Sequence, residues 1–320
     1  MKILAIETSC DETSLTFLDA SGGVRAPQFK VFQNLVYSQI NIHRPFGGVV
    51  PNLAKREHEK NLPVLFKKLC PHPEKEKIDC VTVTVGPGLE PALWTGITFA
   101  QAIYKKLKTI NPKLILVGAN HLEGHLYSFL LAQKSAPRTS YFPAISLIVS
   151  GGHTILLKMD SFTKWKKLGE TMDDAVGEAF DKVARMLRLP YPGGPEVERL
   201  AKQGNGEGIA FPRPMIHTKN YNFSFSGLKT AVLYYIRDNP RASYADIAAS
   251  FQEAACEVLI KKTIRAAETY GARSIMLSGG VAANTALRTR FAYETKKIDA
   301  QFFAPPMEYN TDNAAMIGVT

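Results

Sequence analysis

Residues 2–19 read KILAIETSCDETSLTFLD, two apolar runs separated by a polar turn. Runs at 2–7 and 14–19, bounded by Thr, Ser, Asp and Glu, are the pattern of two strands joined by a tight connection, and residues 24–32 can supply a third. A helical stretch follows from about Pro51 to Leu69, with a bend expected at Pro63, which has no amide to donate inside a helix. Next come a strand at DCVTVTV (79–85), a helix from about Pro91, a strand at KLILVG (113–118) and a helix carrying His121. The order is βββαβαβα.

From residue 143 the order recurs. Strands are expected at AISLIVS (144–150), HTILLKM (153–159) and KWKKLGE (164–170), followed by several helices, a strand at RSIMLSGG (273–280), a helix, the strand AQFFAPP (300–306) and a last helix. A length of 320 residues with 45% hydrophobic content also exceeds what one small core absorbs. The reading is an α/β protein of two similar domains, 1–142 and 143–320, each a mixed sheet covered by helices, with a ligand cleft expected between them.

Four cysteines, Cys10, Cys70, Cys80 and Cys256, lie far apart with no CxxC pair, which argues against a disulfide framework and against a cysteine-bound zinc. The N-terminus turns polar too early for a signal peptide, and no apolar run approaches the roughly 20 residues of a membrane helix. A cytoplasmic protein without membrane association is expected. Thirty-nine Lys and Arg against 29 Asp and Glu leave a net charge of +10, which draws a protein toward polyanions. The basic residues are scattered, as at Lys105, Lys106 and Lys108, so each cluster also reads as the solvated face of a helix.

Four turns share one chemical habit: IETSCDETS (6–14), VSGGHT (149–154), YPGGP (191–195) and SGGVAAN (278–284). Glycine reaches positive φ and has no β-carbon, so backbone amides at such turns can converge on an anion such as phosphate. A Gly pair also simply makes a tight turn. Asp11 and Glu12 in the first turn read either as capping groups or as groups that position a ligand through a cation or ordered water.

In NHLEGHLYS (120–128) a helix advancing about 100° per residue projects His121 and His125 from one face, close enough to share an ion or simply to pack. A zinc peptidase of the HExxH kind needs Glu directly after the first histidine, where Leu122 stands, and Glu123 points about 200° away from His121. Peptidase chemistry is therefore disfavoured. Asp312, in NTDNAAM (310–316), reads either as a helix cap or as a third ligand, and spacing does not decide.

In this order, ETSCDET, GGVVPNLAKREH, GPGL (86–89), NHLEGHLYS, VSGGHT, GETMDDAVGEAFDKVA, YPGGP, FPRPM, FSFSGLKTA, SGGVAAN and NTDNAAM closely resemble the tRNA N6-adenosine threonylcarbamoyltransferases, formerly described as glycoproteases, and the bacterial branch in particular. The resemblance covers essentially the whole chain. It implies the actin-like, sugar-kinase-like ATPase fold, with duplicated ribonuclease-H-like βββαβαβα halves. It further implies transfer of a threonylcarbamoyl group from threonylcarbamoyl-AMP to N6 of adenosine 37 in tRNAs reading codons that begin with A. By similarity, His121, His125 and Asp312 match the family's metal ligands, an open two-histidine, one-carboxylate set suited to Fe2+ or, alternatively, Zn2+.

Carried over position by position, Ile148, Val149, Ser150, Gly151 and Gly152 would line the phosphate and acyl part of the substrate. Asp181, Gly194 and Glu198 would hold its ribose and adenine side, and Asn284 would close it, with AMP, ADP or ATP as other occupants of the cleft. Asp11 and Glu12 are the candidates for handling the amine proton. The implied partners are tRNA, a paralogous subunit that binds no metal and a small P-loop ATPase. A positive surface fits tRNA, whose target base already lies in a single-stranded loop.

Two departures from the family pattern stand out. Relatives usually continue beyond the position of Thr320, and GPGLEPALW carries Glu90 and Pro91 where small apolar residues are usual. Competing readings are a scaffold subunit binding nucleotide or tRNA, which would lack the two histidines and Asp312, and a small-molecule kinase of the same fold, which would phosphorylate without tRNA.

Overall fold

The computed structural model describes residues 1–73, 75–132 and 141–320. They divide into two units, Met1–Arg138 together with Pro305–Thr320, and Thr139–Ala304.

The first unit is built on β1 (Lys2–Glu7), β2 (Glu12–Ser21), β3 (Gln28–Ser38), β4 (Cys80–Gly86) and β5 (Ile115–Asn120). Their order in the sheet is β3-β2-β1-β4-β5. β1 pairs antiparallel with β2 and parallel with β4, so its residues after Lys2 are all buried, as its unbroken apolar run requires. The third strand begins later than residues 24–32 suggest. β2 extends to Ser21, and Gly22 and Gly23, at φ +81° and +68°, turn the chain before pairing resumes at Gln28.

The second unit contains β6 (Ala144–Val149), β7 (Thr154–Ser161), β8 (Lys164–Glu170), β9 (Ser274–Ser278) and β10 (Gln301–Phe303). Its sheet order, β10-β9-β6-β7-β8, repeats that of the first when read from the other edge. The pairing senses repeat as well: β6 is antiparallel to β7 and parallel to β9. Each unit is thus one copy of a duplicated α/β fold, and each buries its own core, around Leu4, Val81 and Leu114 in the first and around Leu147, Phe251 and Leu277 in the second.

The boundary expected from the sequence, with 143–320 as one domain, needs correction. Residues 305–320 belong to the first unit. The last helix, Ala314–Gly318, is buried at all five positions and sets Ala314, Met316 and Ile317 against Ala5 and Ala119. Ala314 N donates to Ser14 Oγ at 2.8 Å, and a Cβ on Gly318 would come within 2.3 Å of Leu18 Cδ2. Small residues let this short helix lie close on β1 and β2.

Helix Pro51–Leu69 runs unbroken through Pro63. In helix Glu90–Lys108, Pro91 occupies the first turn, where its missing amide costs nothing, and Glu90 opposes the positive end of the helix dipole. The two departures in GPGLEPALW therefore serve helix initiation. All four cysteines are free thiols, and no described helix is long and apolar enough to cross a membrane.

Candidate metal centre and glycine-rich turns

The helix His121–Tyr127 leaves β5 directly, capped by Asn120, whose side chain accepts from Leu122 N at 2.8 Å and Glu123 N at 3.3 Å. His121 and His125 fall one turn apart, with ring centroids 4.7 Å from each other. Asp312 Oδ1 lies 3.1 Å from His125 Nε2 and 3.6 Å from His121 Nε2. One ligand atom from each of the three lies within 4.8 Å of the others. The cap of the last helix is not Asp312 but its neighbour Asn313, which accepts from Met316 N at 3.1 Å. Capping is thereby delegated, and the Asp312 carboxylate faces the histidines. Gly124 permits this approach, since a Cβ there would meet Met316 O at 3.2 Å.

The three residues fit a divalent ion. His125 is fully buried, and neither of its ring nitrogens has a hydrogen-bond partner among the described residues. A buried imidazole nitrogen left unpaired is costly, and a cation at the shared point would satisfy Nε2. Two imidazoles and one carboxylate leave coordination positions open for a ligand.

Glu7, at the end of β1, was not singled out by the sequence reading. It is fully buried, its Oε1 accepts from Ser9 N at 2.5 Å and its Oε2 from Thr84 Oγ1 at 2.6 Å. Oε2 also lies 3.3 Å from His121 Nδ1, beside Ser9 Oγ at 3.1 Å. Burial alone would depress the His121 pKa, but the charges of Asp312 and Glu7 outweigh it and raise it to about 9. Glu7 shows the converse: burial pushes its carboxyl up, and the His121 charge overrides this and holds it below the usual range. The available signal was a carboxylate ending an otherwise apolar central strand.

In the same turn Asp11 is buried and Glu12 half-buried at the start of β2, where its carboxylate accepts from Ser38 Oγ at 3.4 Å. Loss of water, then Asp11 and Asp312, push the Glu12 carboxyl well above the usual carboxylate range. The turn is pinned from below by His58, whose Nδ1 is 2.8 Å from Thr13 Oγ1 and whose Nε2 is 3.0 Å from Cys10 O. His58 ends the motif GGVVPNLAKREH, so that motif shapes the first turn.

The other three glycine-rich turns meet within the second unit. His153 N donates to Ser150 Oγ at 3.1 Å and Ser150 N to His153 O at 2.8 Å, closing SGGH. Helix Val176–Met186 starts against this turn, and a Cβ on Gly177 would lie 2.5 Å from Ser150 O. Asp181 Oδ1 accepts from Gly193 N at 2.7 Å, tying YPGGP to the same helix. Gly279, at φ +89°, sits where a Cβ would be 2.3 Å from Val149 O, so SGGVAAN abuts the end of β6. Around Gly151, Gly152 and Gly194 the space for a Cβ is open.

Some candidate residues are already engaged. Ile148 and Val149 bury their side chains in the core, and Asn284 caps the helix Thr285–Lys297 through Leu287 N while donating to Gln252 Oε1 at 2.7 Å. Glu198 accepts from Thr285 N at 3.0 Å and from its hydroxyl, beside a cavity of about 530 Å³ that Lys202, Arg290 and Tyr293 also line.

Two further motifs hold each other. Asp173 Oδ1 accepts from Phe225 N at 2.8 Å and Ser226 N at 3.2 Å, while Asp174 pairs with Lys182 and Lys229, each at 2.8 Å. GETMDDAVGEAFDK thus anchors the start of the FSFSGLKT helix.

A family model described as tRNA N6-adenosine threonylcarbamoyltransferase matches residues 30–319. Curated proteins of that description are similar along the full length: one from Fervidobacterium nodosum is 46% identical, covering 99% of this chain and 91% of the relative, and one from Moorella thermoacetica is 47% identical, covering 99% and 90%. Among solved structures, the chain resembles the activator of the 2-hydroxyisocaproyl-CoA dehydratase from Clostridium difficile, determined with bound ADPNP, at a TM-score of 0.53 and 14% identity over 100% of this chain and 93% of that one. It also resembles HypF of T. kodakarensis at a TM-score of 0.59 and 15% identity, over 99% of this chain and 47% of that one. These two likenesses bear on the fold.

Proposed function

The chain belongs to the tRNA N6-adenosine threonylcarbamoyltransferase family, and we propose how its residues divide that enzyme's work. The reaction joins N6 of adenosine 37 to the carbonyl carbon of threonylcarbamoyl-AMP, breaks the bond from that carbon to the phosphate oxygen, releases AMP and sheds one amine proton. The nucleophile is a weakly basic exocyclic amine, so the protein must hold the leaving AMP, polarise the carbonyl and accept the proton.

His121, His125 and Asp312 hold one divalent ion, Fe2+ with Zn2+ as the alternative, and the observation that carries this is His125, fully buried, without a hydrogen-bond partner among the described residues and with Nε2 facing the Asp312 carboxylate at 3.1 Å. When bound, the ion supplies Lewis acidity and a fixed positive charge. The open turn at Gly151 and Gly152, with Ser150, receives the phosphate of AMP, ADP, ATP or the adenylate. Ile148 and Val149 contribute through backbone only. Asp181 and Asn284 keep YPGGP and SGGVAAN in shape, and Gly194 and Glu198 flank the ribose and adenine side.

Asp11 and Glu12 handle the amine proton, Glu12 being supported by its raised carboxyl pKa. Full transfer by Asp11→Asn and Glu12→Gln, with metal content intact, would end that assignment. The protein works in the cytoplasm on tRNA, with a paralogous subunit that binds no metal and a small P-loop ATPase. The deciding experiment is metal analysis of the purified chain followed by reconstitution with those partners, tRNA and supplied adenylate. Metal-independent transfer would refute the reading.

A further inference from the structure

Only the ring nitrogen that carries no proton can bind a metal, so a neutral histidine is a ligand through one tautomer at a time. In His121 the two nitrogens look in different directions. Nε2 faces Asp312 Oδ1 at 3.6 Å, toward the point shared with His125 Nε2, while Nδ1 faces Glu7 Oε2 at 3.3 Å and Ser9 Oγ at 3.1 Å. A hydroxyl either donates or accepts, so Ser9 is compatible with both tautomers. A carboxylate only accepts. An unprotonated Nδ1 would set its lone pair against the Glu7 oxygen, whereas a protonated Nδ1 donates to it.

We propose that Glu7 is a positioning residue that commits His121 to the Nδ1–H tautomer, so that Nε2 presents its lone pair to a divalent ion. Its own orientation is fixed. Glu7 ends the central strand β1, is fully buried, and is held by Ser9 N on one oxygen and by Thr84 Oγ1 at 2.6 Å on the other. Turning away would strand both donors in the interior. No group comparable to Glu7 holds Nδ1 of His125, which has no hydrogen-bond partner among the described residues, so the tautomer of the pair is imposed at one ring. The inference rests on the reading of His121, His125 and Asp312 as a metal centre.

Zn2+ is the probe, titrated into the full chain against a chelator of known affinity at constant pH. In Glu7→Gln the Ser9 amide keeps the side-chain oxygen at the Oε1 position, the amide nitrogen faces Nδ1 and donates to it, the Nε2–H tautomer is favoured, and Zn2+ affinity is expected to fall about 10–100-fold. Ser9→Ala, which keeps the carboxylate, is expected to bind Zn2+ nearly as the unaltered protein does.

A second measurement needs no substitution. In the Zn2+-loaded protein, nitrogen NMR of His121 should show a proton on Nδ1 and none on Nε2. Coordination through Nδ1, equal affinity in Glu7→Gln, or a loss in Ser9→Ala matching that in Glu7→Gln would each overturn the assignment while leaving the metal centre in place. An unaltered protein that takes up no Zn2+ would overturn both.

Discussion

Nε2 of His125 lies 3.1 Å from Oδ1 of Asp312, bringing a ring from the middle of the sequence against a carboxylate that directly precedes the last helix. Replacing Asp312 by Asn keeps the shape and removes the charge. Metal affinity should drop by roughly 100-fold or more, and transfer should fall with it, while circular dichroism stays unchanged. Metal content measured by mass spectrometry beside tRNA modification checks both; retention of metal would contradict the ligand assignment.

Removing the metal should also weaken the fold. An ion present at about 1,000 times its Kd stabilises the folded state by about 4 kcal/mol, so a chelator should lower the melting temperature and readdition should restore it. His125→Ala, which lacks one ligand, should melt at nearly the same temperature with or without chelator.

Asn313→Ala removes the cap that frees Asp312 for the histidines. We expect a stability loss of about 1 kcal/mol together with weaker metal binding. Asn284→Ala removes a comparable cap in the second unit and should cost similar stability while leaving metal affinity untouched. Urea titrations and chelator competition on the two variants separate these effects.

At Gly177 a Cβ would lie 2.5 Å from Ser150 O and 2.9 Å from Gly151 Cα, both backbone atoms. Gly177→Ala must displace the SGGH turn or the start of helix Val176–Met186, at a cost of about 1–3 kcal/mol. Calorimetry with AMP should show weakened binding, and unchanged affinity would remove that turn from the phosphate site.

Lys262, fully buried, donates to Met215 O at 2.6 Å and Thr218 Oγ1 at 2.9 Å, and burial, helped by the Arg265 charge, lowers its pKa from 10.5 to about 8. Below pH 8 folded and unfolded chains both hold the proton, and the cost of a buried charge is present in full. Between pH 8 and 10.5 the unfolded chain keeps a proton that the folded chain has released, so stability rises with pH through that window. The unaltered protein should therefore gain on the order of 2 kcal/mol relative to Lys262→Met between those limits, read from urea midpoints. A flat difference would show that Lys262 titrates normally.

Much of this fold was legible because its central strands are continuous apolar runs. KILAIE and AISLIV could be bounded almost to the residue, since a strand buried on both faces is apolar nearly throughout, with Ser146 the one polar residue inside AISLIV. The third strand was misplaced because its residues alternate in exposure and a Gly pair stands before it. The return of residues 305–320 to the first unit was hidden, because a run of small residues does not say which sheet will bury it.

At the site, helical spacing showed that His121 and His125 could share a ligand. Asp312 and Asn313 are adjacent and both able to cap, and only the folded backbone assigns the cap to Asn313. Glu7 offers one signal, a carboxylate at the end of an apolar strand, but its role and that of His58 depend on partners far away in sequence.

Because Asp312 follows both histidines at a long distance in sequence, a ribosome exposes both imidazoles long before the third donor emerges. A nascent chain can offer only two of the three groups, so firm capture of the ion must wait until translation reaches Asp312 and the last helix docks. Interrupted synthesis upstream of Asp312 would therefore leave a product without the proposed third ligand, so ion retention would report that the chain has reached Asp312 and that the helix Ala314–Gly318 has docked.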